Sequence, residues 1–387
     1  MVSTQPTSLD QPRQFQNLLL CPSSPSESGP LRLEPAVKSR VISIIWGKSV
    51  LSPNSPSLIL APMDGITDAP MRAFQGAQNT FTHSVTEFIR VSNHPLPIRV
   101  FVRDVPELAT QAKTTTGLPV QIQILGGDPD RMAISAQNAV AAGATAIDIN
   151  FGCPAPTVNR NDGGASILRC SQRVYEITKA VRDALPKSIP VSVKARLGWD
   201  TIEPIYENAE QIQRAGASWL TIHARTKTQG YNPPVYWKPI GEIRRNASIP
   251  IVANGDIWSI EDFYLCQDQT GCAHFMIGRA ALANPNLPHQ IAQSLGLQPT
   301  TPLLPVNWPE LLQKFHDHST DFHGPNHPKS LNRLKQWLAI AARFGDFPHF
   351  ANLKNIPNHP DFMTTLTTLC QIQTTWTSEK LVAISPH

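Results

Sequence analysis

"PVQIQILGGDPDRMAISAQNAVAAGATAIDINFG", residues 119–152, sets two apolar runs on either side of a helical pattern. The first run, 119–126, alternates aliphatic residues with Gln121 and Gln123, which therefore share one face of a strand. Gly, Gly, Asp and Pro then break it, and 129–142 carries the period of an amphipathic helix. The second run, 145–152, leads directly into Cys153. Strand, helix and strand at this spacing form a βαβ unit, which requires a parallel sheet.

The same texture recurs outward in both directions. "LILAP" (58–62), "FTHSVTE" (81–87), "PVSVKARLG" (190–198), "WLTIHAR" (219–225), "PIVANGD" (250–256) and "HFMIGR" (274–279) bring the strand candidates to eight. Helical segments at 172–184, 203–215 and 259–268 lie between them. Eight such units over 58–296 match the length of a (β/α)8 TIM barrel. An open doubly wound sheet is the competitor, but no G-x-G-x-x-G follows the first strand.

Past residue 297 the strands stop. Segments 308–323, 331–345 and 361–376 read as helices, with Leu331, Leu334, Leu338 and Ala341 on one face. A small C-terminal helical domain is expected over 297–387. Residues 1–57 are rich in Ser, Pro and Gln, with short apolar runs at 18–21 and 40–50. Such a segment buries too little surface to offset its ordering entropy, and a disordered extension is expected.

Composition narrows the function classes. The formal charge of +4 permits a nucleic-acid partner without requiring one. No stretch approaches the roughly 20 apolar residues of a membrane span. The six cysteines show neither a CxxC pair nor a Cys/His set at zinc spacing. A reducing cytoplasm, no disulfide framework and no metal site are expected.

In a barrel, reactive groups sit at the C-terminal ends of the strands. Here those ends carry Pro62, Met63 and Asp64; Glu87; Gln121 and Gln123; Asn150 and Cys153; Lys194 and Arg196; His223 and Arg225; Asn254, Gly255 and Asp256; Gly278 and Arg279. So polar a rim needs partners, and a polar ligand is the economical one. The last two loops combine glycines, an arginine and a helix start, which suits a phosphate. Singly, each residue has an ordinary alternative. Lys194 can snorkel, His223 and Gln123 can be satisfied core groups, and Cys153 can be an inert small hydrophobe.

Taken in order, "APMDGITDAPMR" (61–72), "TEF" (86–88), "NFGCP" (150–154), "GGASIL" (163–168), "VSVKARLGWD" (191–200), "IHARTKTQGY" (222–231), "ANGDIW" (253–258) and "MIGRAAL" (276–282) resemble the flavin-dependent tRNA-dihydrouridine synthases. "TEFIRV", "LPIRVF", "RLGWD" and "RLKQWL" are most similar to the bacterial C subgroup. That resemblance implies NADPH-driven reduction of the C5=C6 bond of the uridine at position sixteen of the tRNA D-loop. It implies bound flavin mononucleotide (FMN), with Asn254, Gly255, Asp256, Gly278 and Arg279 at its phosphate. Pro62, Met63 and Asp64 would line the ring, and Gln123 and Lys194 would bond its polar edge. His223 belongs with these and, beside Asn150 and Arg196, would also orient the uracil. Cys153 would be the general acid at C5.

For the tRNA itself, Arg90, Arg333, Lys335 and Arg343 would grip the backbone while the helical domain docks the folded RNA by shape. A monomer acting on tRNA and NADPH in the cytoplasm, with no membrane partner, is expected. The chain departs from the family at "APTVN" (155–159), where many relatives carry a lysine, which leaves that loop's phosphate contacts open. Two rivals stand beside this reading. A small-molecule flavin barrel oxidoreductase of the dihydroorotate dehydrogenase type explains the phosphate site but not the helical tail. A tRNA-binding folding factor with a relict flavin site would leave the D-loop unmodified.

Overall fold

In the computed structural model, which describes residue 51 and residues 55–324 and 327–382, the stretch 119–152 folds as Val120–Leu125, Pro129–Ala141 and Ile147–Phe151. The two strands pair in parallel with Gln123 opposite Asp148. Asp128 caps the helix between them, its side chain accepting from the Arg131 N–H at 2.8 Å.

The unit repeats until the sheet closes on itself. Ser57–Leu60, His83–Val85, Val120–Leu125, Ile147–Phe151, Val191–Arg196, Trp219–His223, Ile251–Asn254 and His274–Ile277 are its eight strands. Each is parallel to its neighbours, and Ser57–Leu60 pairs with both His83–Val85 and His274–Ile277, completing the ring. A ninth ladder segment, Ile89–Arg90, pairs further along the same neighbour as His83–Val85 and so continues the second strand. Residues 86–88 interrupt that strand at the rim and carry Glu87, whose carboxylate accepts from the Ile66 N–H at 2.9 Å.

Alternation along the strands separates two environments. Ile122, Ile124, Ile147, Ile149, Val193 and Ile222 are fully buried and point out beneath the helices. Inside, Ile59, Ala61, Val85, Trp219, Val252 and Met276 form a separate apolar cluster that fills part of the barrel. Leu51 joins that cluster although it lies in the segment expected to be an extension. The other expectations for 1–50 lie outside the described residues. The remaining interior is polar, which leaves the upper barrel to the site.

Beyond the barrel, Trp308–His323, Pro328–Phe344 and His359–Val382 are the tail helices. Phe315 and Trp337 from the first two close on Phe74 of Ala69–Ala77, with ring centres 5.1–5.7 Å apart. Trp337 also donates its indole N–H to the Leu282 carbonyl at 2.9 Å. Arg333 reaches back as well, to the Ile66 carbonyl and the Asp68 carboxylate, each at 2.7 Å.

Beneath this junction Arg72 and Glu107 form a buried bidentate pair with both contacts at 2.8 Å. Arg72 also donates to the Thr67 carbonyl at 2.7 Å. Removing one partner strands the other charge in the core. Arg72→Met is therefore expected to lower unfolding stability by about 3–5 kcal/mol, read from urea denaturation. An unchanged midpoint would show that the pair adds nothing to stability.

Candidate functional site: the mouth of the barrel

Eight strand ends converge on a cavity of about 300 Å³. Its lining includes Pro62, Met63, Asp64, Gln123, Asn150, Cys153, Lys194, Arg196, His223, Asn254, Gly255, Asp256, Gly278 and Arg279. The structure thus gathers all the expected flavin and uracil residues, and Cys153, around one space. The four cations expected to meet tRNA are not in its wall. Arg343 is exposed, Lys335 and Arg90 are half-buried, and Arg333 spends its guanidinium on Ile66, Asp68 and Gln336.

Cys153 is held by its backbone on both sides. Its N–H and that of Gly152 donate to Asn150 Oδ1 at 2.9 and 2.8 Å. Its carbonyl accepts from Asn159 Nδ2 and from the Ala165 N–H, both at 3.1 Å. Within the "APTVN" stretch, Pro156–Asn159 forms a short helix, so Asn159 serves as a clamp on the thiol residue. The glycines of 163–164 are the other jaw. Gly164 has φ +62°, and a Cβ there would meet the Cys153 carbonyl at 2.8 Å. Burial raises the Cys153 pKa, the Ala155 backbone hydrogen bond and neighbouring arginines opposing it. The thiol is therefore protonated at neutral pH.

Two basic groups, a partly buried Lys194 and a buried His223, line the same cavity. Lys194 Nζ donates to Asn254 Oδ1 at 3.0 Å, and Asn254 Nδ2 donates to the Met276 carbonyl at 2.7 Å. Burial, with repulsion from Arg196, lowers the Lys194 pKa to about 8, partly offset by Asp148 and Cys153. His223 is pushed far below its ordinary range by burial and then by Arg196 and Lys194, so it is neutral. Its Nδ1 is buried and without a hydrogen-bond partner among the described residues, which marks a polar ligand group as missing from the picture. A flavin fits these residues. The orphaned imidazole, the Lys194 ammonium and the Arg279 cation offer donors where a polar, anionic group would lie.

Arg225, wholly buried, forks onto the Asp256 carboxylate of the cavity lining, which also lies 3.7 Å from Arg279. Gly255, at φ +115°, lies against His223, and its carbonyl accepts from the Trp237 indole N–H at 3.0 Å. Arg279 itself sits among three rings, 4.3 Å from Tyr231, 4.9 Å from Phe344 and 5.1 Å from Trp258. Phe344, which stacks on Trp258 at 4.9 Å, comes from the tail.

Several of these residues escape sequence reasoning. Tyr231 occupies an irregular loop and had no periodic signal, whereas Phe344 ends the helix Pro328–Phe344 and meets Trp258 and Arg279 from far along the chain. Asp148 did have one. It stands between isoleucines two positions before Asn150, hence on the same inward face.

The comparisons with known proteins now bear on this geometry. Residues 59–372 match the family model described as "Dihydrouridine synthase (Dus)". The chain belongs to the dihydrouridine synthase family. Among curated members, the tRNA-dihydrouridine(16) synthase of Pasteurella multocida is 41% identical over 73% of this chain and 88% of its own. Those of Shewanella oneidensis and Escherichia coli are each 40% identical, over 74% and 73% of this chain and 89% and 88% of theirs. The dihydrouridine synthase match runs from the first strand into the last tail helix, so barrel and tail both fall within it.

Proposed function

We propose that the chain is a flavin-dependent tRNA-dihydrouridine(16) synthase that reduces the D-loop uridine with electrons from NADPH. The observation that carries this reading is the cavity itself, where a backbone-clamped, protonated thiol shares one lining with a partly buried lysine and with glycine and arginine loops suited to an anion. Its relatives named for position sixteen, at 40–41% identity, support the choice of base.

When bound in reduced form, FMN supplies the hydride for C6 of the uracil. Asn254, Gly255, Asp256, Gly278 and Arg279 would hold its phosphate, with Pro62, Met63 and Asp64 along the ring. Lys194 places a cation beside the polar edge, where negative charge is favoured on reduction. Cys153 delivers the proton to C5, and the burial that raises its pKa keeps that proton in place until needed. Asn150, Arg196 and His223 orient the base. A uridine inside a folded tRNA must first be drawn out of its stack to reach them. Arg90, Lys335 and Arg343 are the cations we assign to the tRNA backbone, with Arg333 fastening the tail that carries two of them. The protein acts as a cytoplasmic monomer in this reading.

The ring cage around Arg279 makes a quantitative prediction. Phe344→Ala removes one wall and is expected to weaken FMN retention by roughly 3–30-fold, measured by fluorescence titration of the apoprotein. Unchanged affinity would leave Tyr231 and Trp258 as the whole cage.

Mapping dihydrouridine in tRNA from cells with and without the gene tests the function. Loss at position sixteen alone is expected. Loss at another D-loop position overturns the site assignment, and no loss, with activity on free pyrimidines, favours a small-molecule oxidoreductase.

A further inference from the structure

Asp148 is 2% exposed, does not line the cavity, and has no part in the chemistry above. It lies instead at the foot of an ordered chain of hydrogen bonds. One carboxylate oxygen accepts from Ser192 Oγ, which accepts in turn from Gln121 Nε2 at 2.8 Å. The other accepts from Gln123 Nε2 at 2.7 Å. Gln123 Oε1 accepts from Asn150 Nδ2 at 2.8 Å, and Asn150 Oδ1 takes the Gly152 and Cys153 N–H groups. Strand register sets these groups side by side, Gln123 opposite Asp148 and Asp148 opposite Ser192.

The direction of this chain is dictated by what each end can do. An ionised carboxylate only accepts, whereas an amide donates at one end and accepts at the other. Burial raises the Asp148 pKa to about 6 against the Ser192 and Gln123 hydrogen bonds and Lys194, so the group is ionised at neutral pH. It demands the Nε2 end of Gln123, which turns Oε1 to Asn150, which turns Oδ1 to the loop. From the far end, two backbone N–H groups demand the same orientation of Asn150. Both ends agree, and neither amide can flip alone.

We propose that Asp148 is a positioning residue that fixes the amide orientation of Gln123 and Asn150 and through them seats Cys153 at the cavity mouth. The inference deepens the proposed function and rests on Cys153 being the proton donor there. It also gives Gln123 a second duty, since both ends of its amide are already engaged below the flavin site.

Reversing the polarity of the chain tests it. Asn150→Asp replaces the donor facing Gln123 by an acceptor. Gln123 then turns Nε2 upward and leaves Oε1 against the Asp148 carboxylate. Adding Asp148→Asn supplies an N–H to that oxygen while still accepting from Ser192. The chain then runs fully satisfied in the opposite sense, with volume and net charge kept. The readout is the alkylation rate of Cys153 by iodoacetamide, followed by the mass of its peptide, beside flavin content and turnover.

Asn150→Asp alone is expected to change that rate ~10-fold or more and to lower turnover ~100-fold, as for two disturbed hydrogen bonds. Asp148→Asn in the same chain is expected to bring alkylation back to within roughly three-fold of wild type, a strong coupling between the sites. Additive effects, with no recovery in the double variant, overturn the proposal. Should the position-150 variants not fold, Gln123→Glu with and without Asp148→Asn makes the same comparison. There, recovery in the double supports the proposal and additivity overturns it. A fully active Cys153→Ala would remove the donor role and leave the alkylation comparison standing, so the two failures are distinguishable.

Discussion

Cys153→Ala is expected to cut dihydrouridine formation about 10²–10⁴-fold, the usual worth of a positioned general acid, while tRNA binding and flavin retention stay at wild-type levels. The expectation follows from how the residue is held. Asn150, Asn159 and Ala165 fix its backbone, so deleting the sulfur leaves the loop in place and removes only the proton source. Single-turnover reduction of an unmodified tRNA transcript would read the loss, with filter binding as the control. Cys153→Ser should recover little, because a hydroxyl is a far weaker acid than a thiol. Wild-type turnover in the alanine variant would assign the proton to solvent.

Lys194 carries the second large effect. Its pKa of about 8 means that its positive charge is lost as pH rises through that value. Cys153 is shifted upward and stays protonated over the same range. Activity should therefore be full below pH 8 and decline above it, with Lys194 rather than the thiol setting the alkaline limb. Lys194→Met is expected to lower turnover about 10²–10³-fold, as for loss of one preorganised charge stabiliser, and to flatten that limb. A limb that persists unchanged in Lys194→Met would transfer it to another group. The Lys194 ammonium is anchored on Asn254, so Asn254→Leu should move the midpoint further down by removing the acceptor that favours the charged form.

Much of this architecture is legible in the sequence because strands and helices write themselves as periods of two and 3.6. Val120–Leu125, Pro129–Ala141 and Ile147–Phe151 lie where the alternation puts them. Ala69–Ala77, Ile98–Asp104, Lys238–Asn246 and Leu287–Ser294 give weaker patterns, three of them with proline in the first turn. The convergence of Lys194, His223 and Asn254 was readable as well, since a closed parallel barrel brings strand ends together whatever their distance in sequence. Long-range contacts were not. Tyr231 from a loop and Phe344 from the end of a helix both meet Arg279 by tertiary packing, and no local pattern encodes such a meeting. The glycines at 163–164 were legible only as a turn. Their role against Cys153 depends on how closely two backbones approach.

The Phe344 contact has a thermodynamic corollary. One side chain of the tail packs against Arg279 in the barrel mouth, so anything that orders that helix also steadies Arg279. Linkage then runs both ways: if RNA on the tail tightens cofactor binding by some factor, the cofactor tightens RNA binding by the same factor.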